Sequence, residues 1–210
     1  MIKVRQNLRK VVAIAICFAG SATMFAQETG VVINGVKWAT RNVDKPGTFV
    51  TNPEDAGMFY QWNRQVGWSA TAPMINSDGG INWDTTESEG AIWKKSNDPS
   101  PIGWRIPTLD EINKLLDTDK VTSEWTFINA VKGRRFTDNA TGNSIFLPAA
   151  GYRRNVDGTL NYVGLYGLYW SSTQNDNTGG AYGLNFYSDN VQSHFWDFKL
   201  NGFSVRSVTE

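Results

Sequence analysis

Short apolar runs separated by Asn-Gly, Asp-Gly and other Asx-rich doublets recur along the chain, and this punctuation restricts the fold more than any other feature. "VVI" and "VKWATRNV" flank Asn34-Gly35, a doublet suited to a two-residue hairpin turn. "RRFTDNATGNSIFLPA" sets a polar Asn-Ala-Thr-Gly loop between two apolar runs. "AGYRRNVDGTLNYV" turns at Asp157-Gly158, "YGLNFYSDNVQSHFWDF" near Asp189-Asn190, and "KLNGFSVRSV" at Asn201-Gly202. Repeated hairpins of this kind build antiparallel sheet.

Helix signals are confined to the middle of the chain. In "PTLDEINKLLD", Thr108 is the expected N-cap and Glu111, three residues on, completes a capping box. Leu109, Ile112, Leu115 and Leu116 share one helical face, with Asp110, Asn113 and Lys114 opposite. A second, shorter helix is expected over "SEWTFINAVKG", with Ser123 as cap, Trp125, Ile128 and Val131 in line, and Gly133 as the stop. Hairpins plus two bunched helices predict an α+β fold. Residues 44–101 hold one short apolar element, "GMFYQW", in a stretch otherwise rich in Gly, Pro, Asn and Ser. This section is expected to be ordered, anchored by Trp62, Trp68, Trp83 and Trp93, each able to bury a large apolar area.

Residues 1–26 have the layout of an export signal. Lys3, Arg5, Arg9 and Lys10 precede an apolar run from Val11 to Ala19, and small residues follow. Cleavage is expected after Ala26, with Ala22 as the alternative. The apolar run is short for a bilayer span, so no integral membrane span is expected after processing. Cys17 lies inside the run, after Ile16 rather than a small residue, which argues against a lipid anchor there. Removal of the segment takes away four basic side chains and no acidic one, which leaves 16 basic against 20 acidic, a formal charge of −4. Such a balance does not suit nucleic acid or an anionic membrane as partner. The remaining 184 residues, 27–210, contain no cysteine and are read as one domain. Disulfides, thiolate metal sites and a cysteine nucleophile are thereby excluded from them.

Five segments in order, "INGVKWATRNVDKPGTF", "GWRIPTLDEINKLL", "FLPAAGYRRNVDGTL", "GLYWSST" and "GFSVRSV", resemble the Fibrobacter succinogenes major paralogous domain family, across most of residues 31–208. That family is similar to the C-type-lectin-like fold of formylglycine-generating enzymes and of the hypervariable ligand binders in retroelement-diversified systems. The resemblance implies a twisted antiparallel sheet, two helices and long ordered loops. It supplies no catalytic site: formylglycine generation needs copper-binding cysteines, and the Glu-Pro-Asn and Trp-Asn-Asp calcium motifs of sugar-binding lectins are missing. No metal or cofactor is expected. Asx residues in such loops are turn formers first and ligands for a hard cation second.

Catalytic readings find little support in the residues. His194 is the single histidine, and Ser171, Ser172 or Ser193 would have to serve as nucleophile without a nucleophile-elbow motif. A two-carboxylate glycosidase has no fixed spacing to look for, and no pair is nominated.

What stands out is the stretch 164–190 and its continuation, dense in Tyr, Trp, Asn, Ser and Gly and nearly free of charge. Tyr and Trp offer rigid contact area while Asn and Ser offer adaptable hydrogen bonds, the mixture found in antibody paratopes. In the ligand-binding relatives of the resembled fold, the C-terminal strands and loops carry the binding face. The expected ligand-binding residues are Asn175, Asp176, Asn177, Tyr182, Asn185, Tyr187, Asp189, Asn190, Ser193, His194, Trp196 and Asp197. Strand alternation turns Leu184 and Phe186 into the core, and Tyr182 shares their parity. The competing reading of the same residues is a solvated sheet with its turns. The expected role is an exported, non-catalytic module that binds a glycan or a surface protein. The alternatives are a glycan-acting enzyme or a structural subunit of a surface assembly such as a pilus.

Overall fold

The computed structural model describes residues 27–88, 90–175 and 179–210, so the expected export signal lies outside it. Two tight strands open the fold, β1 (Val31–Ile33) and β2 (Val36–Trp38), and Asn34 and Gly35 between them both take positive φ. The turn is thus the left-handed two-residue type that the doublet predicts. β3 (Phe59–Tyr60) and β4 (Gly67–Trp68) form a small ladder, followed by β5 (Trp104–Arg105) and helix α1 (Leu109–Leu115). A meander then runs through β6 (Val121–Ile128), β7 (Val131–Asp138) and β8 (Ser144–Pro148). The short pair β9 (Tyr152–Arg153) and β10 (Leu160–Asn161) leads into a second meander, β11 (Gly167–Gln174), β12 (Ala181–Tyr187) and β13 (Asn190–Asp197). The last strand, β14 (Val208–Thr209), pairs with both β2 and β5 and ties the C-terminal end to the first hairpin.

The fold is mainly β, which corrects the expected α+β, C-type-lectin-like arrangement with two helices. Among the described residues there is one α-helix, and the strands form five small antiparallel sheets. The expected second helix over 123–133 is instead the β6–β7 hairpin. Its apolar spacing at 125, 128 and 131 fits a helix, but Val121, Ser123 and Trp125 also alternate with exposed Thr122 and Glu124. Asn129 and Ala130 take φ of 47° and 66°, closing a turn that a helix could not contain. Gly133, read as a helix stop, is a strand residue where a Cβ would collide with the Leu147 carbonyl oxygen.

The other helix forms as its cap predicts. Thr108 Oγ1 accepts the Glu111 N–H, and the Glu111 carboxylate accepts the Thr108 N–H at 2.8 Å and the Arg105 guanidinium at 2.7 Å. Burial raises the Glu111 carboxyl, but Arg105 and the Thr108 N–H outweigh it and hold the group below its ordinary value of 4.5. A carboxylate lowered in the fold stabilises above its unfolded value, and that contribution fades as pH falls through the folded value. Melting temperature is therefore expected to fall in the range below pH 4.5. Glu111→Gln should melt lower at pH 7 and show a shallower acid decline. Parallel acid limbs for the two proteins in a pH series of thermal melts would contradict this origin.

Two apolar clusters hold the molecule, and the β11–β12–β13 sheet lies between them. Tyr169, Leu184 and Phe186 face the first, with Trp38, Ile112, Leu115 and Phe136. Leu168, Trp170 and Ala181 face the second, with Tyr60, Trp62, Phe203 and Val205. Leu184 and Phe186 are core residues, as alternation predicts. The 44–101 section is pinned as expected: Trp62, Trp68 and Trp93 are buried and Trp83 is half-buried. Trp83 packs on Trp68 at 4.8 Å and its indole N–H donates to the Asn155 carbonyl. Buried arginines fasten further loops, with Arg153 donating to the carbonyls of Ser69, Thr71 and Gly158.

Candidate ligand-binding face

The second face of the C-terminal sheet carries the second apolar cluster, against which Tyr152 and Tyr166 pack. Asn185, buried, and Tyr187, half-buried, turn to this face, because their neighbours Leu184 and Phe186 pack into the first cluster. Tyr187 meets Tyr166 at 5.2 Å between ring centroids, just before β11 begins. Tyr166 meets Tyr162 at 5.0 Å, and Tyr162 stacks on Tyr152 at 6.0 Å with the planes 23° apart. Tyr152 in turn abuts the buried Phe203 edge-on at 5.8 Å. Four tyrosines thus form one continuous run, with Tyr162 its most open member at 53% exposure.

Local backbone geometry builds this run. Gly151 has φ of 74°, and a Cβ there would strike the Asn161 carbonyl oxygen, so glycine lets the 161–163 segment lie against β9. The Gly151 N–H donates to the Tyr166 carbonyl and the Gly164 N–H to the Ala149 carbonyl. Tyr162 itself adopts φ of 56°, and its carbonyl accepts from both Leu165 and Tyr166 N–H. The Tyr152 hydroxyl is pushed above its usual value by burial first and the nearby Asp197 charge second. Burial likewise raises the Asp197 carboxyl.

Asn185 is the unusual group on this face. Its register partners are Leu168 on β11 and Gln192 on β13, it is 6% exposed, and its side-chain oxygen Oδ1 has no hydrogen-bond partner among the described residues. A buried acceptor left unmet costs about 1–3 kcal/mol.

The twelve residues expected to bind ligand do not form one surface. Asn185 and Tyr187 lie on the tyrosine face, Asn190 pairs with Tyr187 in register, and Asp197 stands near Tyr152. Tyr182, Ser193, His194 and Trp196 gather elsewhere. Ser193 donates to Asn113 Oδ1 of α1 at 2.6 Å, Tyr182 and His194 rings sit edge-to-face at 6.4 Å, and Trp196 pairs with Tyr182. A bulge between Tyr182 and Gly183 breaks the regular alternation there. Trp196, 43% exposed, also meets the exposed ring of Phe198. Asn175 is buried at the end of β11, Asp189 is exposed at the hairpin tip, and Asp176 and Asn177 lie outside the described residues. The sequence reading missed Tyr152, Tyr162 and Tyr166, since Tyr152 lies in β9 and the other two on the turn before β11, and only packing brings them together.

Among the described residues, Ser171 and Ser193 are both held by other partners. The Ser193 proton is directed to Asn113, while His194 Nδ1 is 3.4 Å away, and Ser171 is buried with its hydroxyl on the Tyr182 carbonyl. An open cleft of about 1180 Å³ lies between residues 27–28 and the 44–58 loop, lined by Arg41, Phe49, Met58 and Thr71. Its carboxylate Glu28 is tied to Arg41 at 2.8 Å and to the Thr40 hydroxyl.

Residues 120–208 match a family model described as a domain of unknown function, DUF8237. The matched stretch runs from β6 into β14 and contains all four tyrosines of the run and Asn185. No curated protein and no solved structure matches the chain.

Proposed function

We propose that the chain is an exported, non-catalytic binding module of the bacterial cell envelope or surface, holding a glycan or protein through its C-terminal sheet and loops. The observation that carries this reading is the run of four tyrosine rings beside the β11–β12–β13 sheet, of which Tyr162 is exposed and the others half-buried, next to neutral polar side chains. Aromatic surface left partly open to solvent in this way suits an interaction site. The basic n-region and apolar run of residues 1–26 support export. The test is to express the full chain in a bacterial host, fractionate the cells, and sequence the N-terminus of the recovered protein. The expected result is an envelope or secreted product beginning at Gln27 that binds isolated envelope material without releasing soluble sugars. Cytosolic protein with residues 1–26 intact, or steady hydrolysis of the glycan, would overturn the proposal.

A further inference from the structure

Resting on that reading, we infer that the ligand is a neutral, extended polysaccharide laid across Tyr152, Tyr162, Tyr166 and Tyr187, with Asn185 Oδ1 accepting one of its hydroxyls. Three observations converge on this class. The rings follow one another at 6.0, 5.0 and 5.2 Å, so a chain of sugar rings can meet them in succession. A tyrosine ring offers an apolar face to pyranose C–H groups and a hydroxyl at its edge, and Tyr162 is the ring most open to solvent.

The second observation is charge. The arginines nearest the run in sequence are already committed, while exposed Lys132 shares a hollow with Val163 and Leu165 beside it. Arg153 serves loop carbonyls, and Arg154 is paired with Asp157. Arg134, beneath the end of β12, donates to the carbonyls of Tyr187 and Ser188. An acidic glycan or a nucleic acid would call for uncommitted cations along its path. Asp197, whose charge acts on Tyr152, and Asp189, two residues beyond Tyr187, would repel them.

The third is Asn185. A leucine of similar size at this place would leave no unmet oxygen, so the asparagine weakens the fold locally unless an O–H or N–H donor arrives. Sugar hydroxyls are such donors, and Gln192, exposed opposite Asn185, is the side chain that must turn aside to admit one. Area decides between a sugar and a protein. Tyr162 is about half exposed and the other three rings less, so together they expose at most roughly 300 Å². That is well under half of the ~800 Å² each partner buries in a stable protein interface.

The experiment incubates purified residues 27–210 with insoluble cellulose, xylan, mannan and starch, and separately with detergent-solubilised envelope proteins. Tyr162→Ala, Asn185→Leu, Trp196→Ala and the distant control Phe127→Ala are carried in parallel, each checked by thermal melting. Wild type is expected to bind at least one of the four polysaccharides. Tyr162→Ala and Asn185→Leu should each weaken that binding about tenfold. Asn185→Leu should melt at the same or a higher temperature, an outcome no purely structural role for Asn185 would give. Phe127→Ala should bind as wild type. Folded Tyr162→Ala and Asn185→Leu that bind polysaccharide undiminished, or loss with Trp196→Ala alone, would overturn this inference and leave the binding module intact. So would capture by an envelope protein with no polysaccharide bound. Binding to none of the probes would overturn both.

Discussion

Alanine in place of Arg206 is expected to lower the stability of the fold by about 4 kcal/mol. Arg206 is almost fully buried and donates to three neutral oxygens: Asn42 Oδ1 at 2.9 Å, the Ala39 carbonyl at 3.2 Å and the Phe146 carbonyl at 2.9 Å. These acceptors belong to the segment after β2 and to β8, so one guanidinium joins the N-terminal chain, the first meander and the C-terminal segment. Removal leaves buried acceptors unmet and opens a cavity. Burial pushes the guanidinium down to about 10, which still leaves it protonated near neutrality in both folded and unfolded chains. The loss is therefore expected to be the same at pH 6 and pH 8. Arg206→Lys should fall between, since an ammonium cannot reproduce the planar fork. Urea unfolding followed by tryptophan fluorescence measures this directly. A midpoint unchanged from wild type for Arg206→Ala would refute the account.

A loss of about 3–5 kcal/mol, localised rather than spread over the fold, is expected for Trp62→Ala. The Trp62 ring is fully buried, its N–H donates to the Ser171 carbonyl at 2.9 Å, and Trp93 packs edge-on at 5.5 Å. The Lys199 ammonium lies 4.5 Å from the ring centre. Residues 44–101 contain little regular structure, so their order depends on such anchors rather than on ladders. Limited proteolysis should cut the variant first within 63–97, while the β6–β7–β8 meander stays protected. Uniform cleavage across the chain, or none beyond wild type, would show that Trp62 does not hold this section.

How much was legible in the sequence varied by element. The β1–β2 turn was readable because Asn-Gly favours left-handed φ at both central positions. The α1 cap was readable because Thr108 and Glu111 satisfy each other's backbone groups without outside help. The helix expected over 123–133 failed for a reason of the same local kind. Over eleven residues the helical and alternating patterns overlap, and Asn129-Ala130 is a weak turn signal because alanine seldom adopts positive φ. Pairing along the whole length of β6 and β7 settled the matter, together with the β7–β8 ladder. Those pairings reach beyond the eleven residues in which the helical pattern is read, as far as Val121 with Asp138 and Gly133 with Pro148.

The candidate site divides in the same way. Asn185 and Tyr187 could be named from composition and from alternation against Leu184 and Phe186. Their separation from Ser193, His194 and Trp196 could not, since it follows from the bulge beside Tyr182 and the contact of Ser193 with α1. The sequence by itself determined the hairpin grammar, the α1 cap, the absence of cysteine beyond residue 26 and the need for tryptophan anchors in 44–101. Each of these depends on a residue's own conformational or chemical limits. Only the tertiary structure decided that Tyr152, Tyr162, Tyr166 and Tyr187 make one chain of ring contacts and that Asn185 Oδ1 is buried without a donor among the described residues. Ring contact and desolvation are properties of chain segments brought together by packing, and no single segment carries them.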